Sequence, residues 1–300
     1  MADTSLVSFL EDRRRPVESA LRDSVDTLAA DIPGSLAAAI RDAVMSGGKR
    51  IRPLLLVAGY EEAGAASTDP VYDLAASVEL IHAYSLMHDD LPCMDDAPLR
   101  RGSPTAHILH GAPTAAVAGA LLIPWAATRA YDASVSLGRS RDQARGIAAH
   151  LLEAAGAGGM IGGQALDLLG EGGSLDEGEL AELHVLKTGA LLGAALELGA
   201  MAAGAGRALL AALGSFGRDI GLAFQVTDDV LDATATADVL GKQPSDADRD
   251  KSTYVALMGV EGARAHARGL LERALAALDT AGLTAFRLRQ LARFIVQRSR

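Results

Sequence analysis

What most limits the fold of this chain is the near absence of strand patterning beside long stretches of helical periodicity. Alternating β-branched runs are scarce, Ala, Leu and Gly recur throughout, and aromatic residues make up only 4%. Helix formers spaced at i, i+3 and i+4 predict an all-helical protein. Amphipathic helices are expected near residues 3–30, 34–45, 51–64, 71–90, 113–135, 140–155, 175–203, 206–233, 259–280 and 283–297. Breaks fall at SGGKRIRP, RRGSPTAH, GEGGS and LGKQPSDADRDKS, where Gly, Pro and charge interrupt the pattern. No Pro- or Ser-rich linker and no repeat divides the chain, so a single domain over residues 1–300 is the simpler expectation. A hydrophobic fraction of 49% gives it a substantial core.

A net charge of −10 without a dense basic face argues against nucleic-acid binding, so anionic partners must be met locally. Cys93 stands alone and cannot form an internal disulfide. With no basic-then-apolar leader at the start, a cytoplasmic location is the default expectation. Residues 111–128 are uncharged, but their Ala, Gly, Thr and two prolines suit a buried helix better than a membrane span.

The sequence HDDLPCMDD, His88 to Asp96, crowds four carboxylates beside a proline. Acid pairs are more often solvated loops or caps than sites. Here, however, the preceding stretch Val71–Met87 places Leu74, Val78, Ile81 and Ser85 along one helical face, so a buried helix runs straight into the acids. Pro92 disfavours helix at Leu91 and should turn Asp95 and Asp96 back towards Asp89. Carboxylates so gathered need a cation or water. Oxygen ligands without His or Cys favour a hard ion such as magnesium, shared with a substrate phosphate.

A second acid cluster, FQVTDDVLD, lies within an apolar helix free of proline. Asp228 and Asp232 are four apart on one face, with Asp229 about 100° around. The three acids are either the wet face of that helix or a prearranged site; core-like Phe224, Val226, Val230 and Leu231 beside them weaken the first reading. Basic residues gather at the breaks: Lys49, Arg50 and Arg52, then Arg100 and Arg101, then Lys187, Lys242 and Lys251. Each alone suits a solvated surface, but together with two acid clusters they describe a site for diphosphates, with magnesium on one side and Arg or Lys on the other. MSGGKR lacks the glycine and Ser/Thr of a P-loop, and no dinucleotide turn appears. One Glu-x-x-His, Glu79 to His82, falls short of the two a di-iron bundle needs, and no Ser-His-Asp or nucleophile-elbow pattern is present.

These blocks resemble the trans-isoprenyl diphosphate synthase (polyprenyl synthetase) family. DDLPCMD is similar to the family's first aspartate-rich motif in its bacterial form, and DDVLD to the second. GGKRIRP, ELIHAYSLMHDD, RRGSPTAH, GMIGGQALDL, LKTG, FQVTDD and KSTY resemble further family blocks in the same order. The resemblance implies a single all-α domain of long, mostly antiparallel helices around a deep central cavity, usually in a homodimer, with no membrane span. It implies that Asp89, Asp90, Asp95, Asp228, Asp229 and Asp232 hold Mg2+, more than one ion per site, against an allylic diphosphate. Arg100, Lys187, Lys242 and Lys251 would contact that diphosphate. Lys49, Arg52, His82 and Arg101 resemble the pocket for isopentenyl diphosphate, and Thr188 and Gln225 would line the reacting carbons. Tyr84, five before Asp89, matches the position where the family's farnesyl-type enzymes carry a bulky floor to the cavity. The implied activity is condensation of isopentenyl diphosphate with dimethylallyl and geranyl diphosphates to farnesyl diphosphate, with geranylgeranyl diphosphate as the alternative product. A terpene cyclase would not need Lys49 and Arg52, and a non-catalytic subunit would generally lack the intact acid motifs. Ala97, Ala106, Pro244 and Asp250 depart from the family pattern; Asp250 can pair with Lys251 and weaken its phosphate contact.

Overall fold

A computed structural model describes residues 4–170, 173–234 and 252–297, and helices dominate as the periodicity predicts. In chain order they are α1 (Thr4–Ala29), α2 (Gly34–Met45), α3 (Ile51–Glu62), α4 (Asp69–Asp89), α5 (Ala106–His110), α6 (Ala112–Ser136) and α7 (Arg141–Ala155). There follow α8 (Met160–Leu169), α9 (Glu177–His184), α10 (Ala190–Ala203), α11 (Arg207–Thr234), α12 (Tyr254–Thr280) and α13 (Phe286–Gln297). A π-helical turn, Val185–Gly189, joins α9 to α10. The strands among the described residues are two short ones, β1 (Leu99–Arg100) and β2 (Ser103–Pro104), paired antiparallel with Arg100 opposite Ser103.

The described residues form two compact units, those within Val7–Leu152 and Leu198–Ala205, and those within Met1–Leu6, Glu153–Glu197 and Gly206–Arg300. The first is organised on α4. Leu74, Val78 and Ile81 are fully buried, as their shared face predicts, but Ala76, Leu80 and Ala83 on the opposite side are buried too. This helix is therefore central rather than amphipathic, and its acid-bearing end is held by packing along its whole length. Each buried Leu or Ile contributes about 1.5–3 kcal/mol. Helix α6 packs on α4 and buries a run of small residues, Ala115, Ala118, Gly119, Ala126 and Ala130, around Leu122. Small side chains at such a contact bring helix axes closer together. Residues 111–128 are thus a core helix, as their composition suggests.

The second unit packs α11 against α12 around Leu222, Val226, Val230, Tyr254, Ala263 and Leu270. Helix α12 starts at Tyr254, earlier than its periodicity indicates, because Gly259 (φ 72°) interrupts the helical backbone and shifts the pattern. Helix α8 lies in the gap between the expected helices 140–155 and 175–203, where the glycines of GAGGMIGG obscure the apolar pattern. Among the described residues one stretch, Glu177–Ala203, is long and apolar enough to cross a membrane, and most of it is buried within the fold.

Candidate active site

In the first unit α4 ends at Asp89, and the chain turns back as Pro92 requires. The Asp95 amide donates to the Asp89 carbonyl at 2.8 Å, and the Asp96 amide to that of Leu91 at 3.0 Å. Asp90 is buried and takes a two-pronged contact from Arg100: Nη2 to Oδ1 at 2.7 Å and Nε to Oδ2 at 2.9 Å. Burial works against the charge on Arg100, but the bond to Asp90 and the charges of Asp90, Asp89 and Asp95 leave its pKa raised. The β1–β2 hairpin supplies this arginine. Its turn places Arg101 (φ 53°) and Gly102 (φ 78°) in the left-handed region that tight hairpins need.

Arg101 leaves the hairpin in another direction and donates to the carbonyl of Gly47. Gly48 makes room for it, because a Cβ there would lie 2.5 Å from the guanidinium, and at φ 137° a side chain would also be strained. This bend between α2 and α3 carries Lys49, and Arg52 lies in the first turn of α3, where free amides favour anions. The third arginine of that segment behaves differently. Arg50 is buried, its Nε 2.8 Å from Glu18, its Nη1 2.7 Å from Glu79 and its Nη2 2.9 Å from the Val44 carbonyl. It binds α1, α2 and α4 together, and it accounts for Glu79 of the isolated Glu-x-x-His.

His82 feels the remaining cations. Burial pushes its pKa well below 6.5, and Arg52, Arg101, Arg100 and Arg50 push it the same way. A neutral imidazole beside arginines suits a phosphate contact, since it adds a hydrogen bond without another buried charge. Because folded His82 resists protonation, the unfolded chain takes up the proton first as pH falls below 6.5, and stability is lost on acidification. His82→Gln is expected to flatten that limb of the stability curve, measured by denaturant titration at a series of pH values. An unchanged slope would show that His82 titrates alike in both states.

In the second unit the π-helical turn presents Lys187 and Thr188. Such turns add a residue to a helix and re-aim side chains. Gly163 of α8 lies against it so closely that a Cβ would sit 2.2 Å from the Lys187 amide nitrogen. Lys187 Nζ donates to Asp167 of α8 at 2.6 Å. The Thr188 hydroxyl donates to Gln225 Oε1 at 3.3 Å, and Gln225 Nε2 to Asp229 Oδ1 at 3.3 Å. Asp229 Oδ2 accepts the Tyr254 amide at 2.9 Å. Asp229 is thus buried with both oxygens engaged by protein donors, while Asp228 and Asp232 are half-buried one turn apart. The acids of α11 are not simply its wet face. Tyr254 stacks on His266 with centroids 5.2 Å apart, and burial, then Asp229 and Glu177, push its hydroxyl up to about 12.

Lys242 and Lys251, with Pro244 and Asp250, lie outside the described residues. The structure gathers Lys49, Arg52, His82, Arg100 and Arg101 with the first acid motif in one unit, and Lys187, Thr188 and Gln225 with the second motif in the other. Sequence reasoning missed Asp167, Gln164 and the backbone of Tyr254. Both amide atoms of Gln164 are enclosed with no hydrogen-bond partner among the described residues, which leaves a donor and an acceptor for a ligand. Their signal was GQALDL in the block after the glycines.

Among the described residues no three His, Cys, Asp or Glu side chains are set to hold an ion by themselves. Oxygen donors without a closed cage fit magnesium that shares its coordination with phosphate and water.

The chain matches the family described as Polyprenyl synthetase over residues 33–283. It is 46% identical over 259 residues to a farnesyl diphosphate synthase of Escherichia coli, covering 85% of this chain and 86% of that one. A solved geranyltransferase from Legionella pneumophila superposes with a TM-score of 0.83 at 30% identity, covering 98% of each chain. A geranyltransferase from Helicobacter pylori, complexed with magnesium and isoprenyl diphosphate, gives 0.79 at 30% identity, covering 99% of this chain and 97% of that one.

Proposed function

The chain belongs to the polyprenyl synthetase family, and we propose that it condenses isopentenyl diphosphate with dimethylallyl and then geranyl diphosphate to make farnesyl diphosphate. The observation that carries this reading is an acid motif in the same unit as a separate set of groups suited to phosphate, the cations Lys49, Arg52 and Arg101 with the neutral imidazole of His82. Asp89 and Asp95 in the first unit, and Asp228 and Asp232 in the second, are the residues each motif offers to magnesium and diphosphate; Asp90 and Asp229 fix the motifs through Arg100 and Tyr254. When bound there, magnesium supplies positive charge that stabilises the departing diphosphate.

Each unit adds positive charge of its own, Arg100 in the first and Lys187 in the second, each held in place by a carboxylate. Thr188 and Gln225, bonded to each other, present polar atoms to the reacting carbons. Isopentenyl diphosphate sits on Lys49, Arg52, His82 and Arg101, and its double bond attacks the allylic cation. Loss of a proton, with released diphosphate as acceptor, completes the step, so no protein nucleophile is required. Tyr84 closes the cavity: a further isoprene unit would gain about 4 kcal/mol of apolar burial if space existed, and a ring in the way replaces that gain with overlap. We further propose a cytoplasmic homodimer. The apolar stripe Pro113, Val117, Ala120, Pro124 and Val135, exposed along α6, supports a second copy there.

The test is a product ladder from labelled isopentenyl diphosphate and each allylic primer, with magnesium and after chelation. The wild-type chain is expected to stop at fifteen carbons, to need the metal, and to run on to twenty or more in Tyr84→Ala. No consumption of isopentenyl diphosphate with any primer would refute the reading.

A further inference from the structure

We propose that His88 and Gly119 are positioning residues for product length, holding the Tyr84 ring in place from α6. The inference rests on the elongating activity and on Tyr84 as the cavity floor, and adds what anchors that floor. Tyr84 and His88 are one turn apart on α4, so their side chains share a face. Their rings meet edge to face, with centroids 4.7 Å apart and planes at 72°. His88 Nε2 lies 2.9 Å from the Ala116 carbonyl on α6. A carbonyl only accepts, so this nitrogen carries the proton and donates.

Three residues further along α6 is Gly119, and a Cβ there would lie 2.6 Å from His88 Cδ2 and 2.7 Å from Nε2. The imidazole therefore occupies the space that a side chain at 119 would take. A chain of contacts results: α6 fixes His88 through Ala116 and Gly119, and His88 fixes the plane of Tyr84. A tyrosine on a helix has two accessible χ1 wells. A ring free to change wells blocks a growing chain less well than one held edge-on. The motif acids do not explain this arrangement, because the Asp90 carboxylate is fixed by Arg100 and the Asp89 carbonyl by the Asp95 amide, neither through the His88 side chain.

Gly119→Ala, His88→Ala and the double variant, supplied with labelled isopentenyl diphosphate and geranyl diphosphate, decide the matter by the ratio of C20 to C15 product. That ratio is independent of how fast each variant turns over. Each single variant is expected to raise it about tenfold, the scale of one edge-to-face ring contact. The double variant is expected to match His88→Ala, since a methyl at position 119 then has no imidazole to displace. His88→Phe keeps a ring beside Tyr84 but cannot donate to Ala116, so its ratio should fall between wild type and His88→Ala; it keeps the test open if the alanine variants fold poorly. A wild-type ladder from any of these variants that turns over, fully additive effects in the double variant, or an unchanged ladder in Tyr84→Ala overturns the inference. A wild-type chain that makes no prenyl product defeats the activity itself, which is a separate result.

Discussion

Asp89→Ala and Asp228→Ala are each expected to lower kcat by roughly a thousandfold or more with little change in thermal stability. The two residues lie in different units and are half-buried, so neither is a core contact. Their nearest sequence neighbours should behave differently. Asp90 satisfies Arg100 through three contacts of 2.7–3.0 Å, and Asp229 closes a network from Thr188 to the Tyr254 amide. Removing Asp229 strands the buried Tyr254 amide, at about 1–3 kcal/mol, and removing Asp90 leaves a buried position without its ion pair and the half-buried Arg100 without its acid. Asp90→Ala and Asp229→Ala should therefore lose stability as well as activity. Saturating-substrate kinetics and thermal melts on the four purified variants separate the two patterns. Near-normal turnover in both Asp89→Ala and Asp228→Ala would sink the metal-assisted mechanism.

That division within each motif was not legible in the sequence. Both aspartates of a pair look alike in a string of letters, and helical spacing places Asp228 over Asp232 without saying that Asp229 meets an amide 25 residues on. The long helices were legible because burial repeats at helical intervals, and α2 was read from residue 34 to 45 as the structure has it. Helix α8 was not, because Gly163 is there for close approach to the π-helical turn and so erases the apolar signal. The turn itself has no periodic signature, since LKTG inserts one extra residue into an otherwise continuous apolar run. The β1–β2 hairpin was read only as a break; strands of two residues are too short to alternate.

Arg50→Ala is expected to cost about 3–5 kcal/mol, the largest stability loss among the basic residues, because it leaves buried Glu79 without its arginine and Glu18 with only Arg14 at 3.8 Å. GGKRIRP displays three cations at one break, and nothing in their spacing ranks them. The backbone does: Arg50 has φ 52°, a left-handed conformation at the entry to α3 that turns its side chain inward. There it meets Glu79, 4% exposed, and Glu18 on α1. A lone buried Glu79 cannot stay ionised cheaply, so the loss reflects the stranded acid more than the missing arginine. At a few degrees per kcal/mol for a unit of this size, the melting midpoint should fall by roughly 10 °C. Arg50→Ala/Glu79→Gln should recover part of that fall, because it removes the stranded charge. Arg52→Ala, by contrast, is expected to melt near wild type and raise KM for isopentenyl diphosphate. The pair of measurements, midpoint and KM, separates a cation that builds the unit from one that binds substrate. An Arg50→Ala variant that melts with the wild type would show that α1, α2 and α4 are held by packing alone.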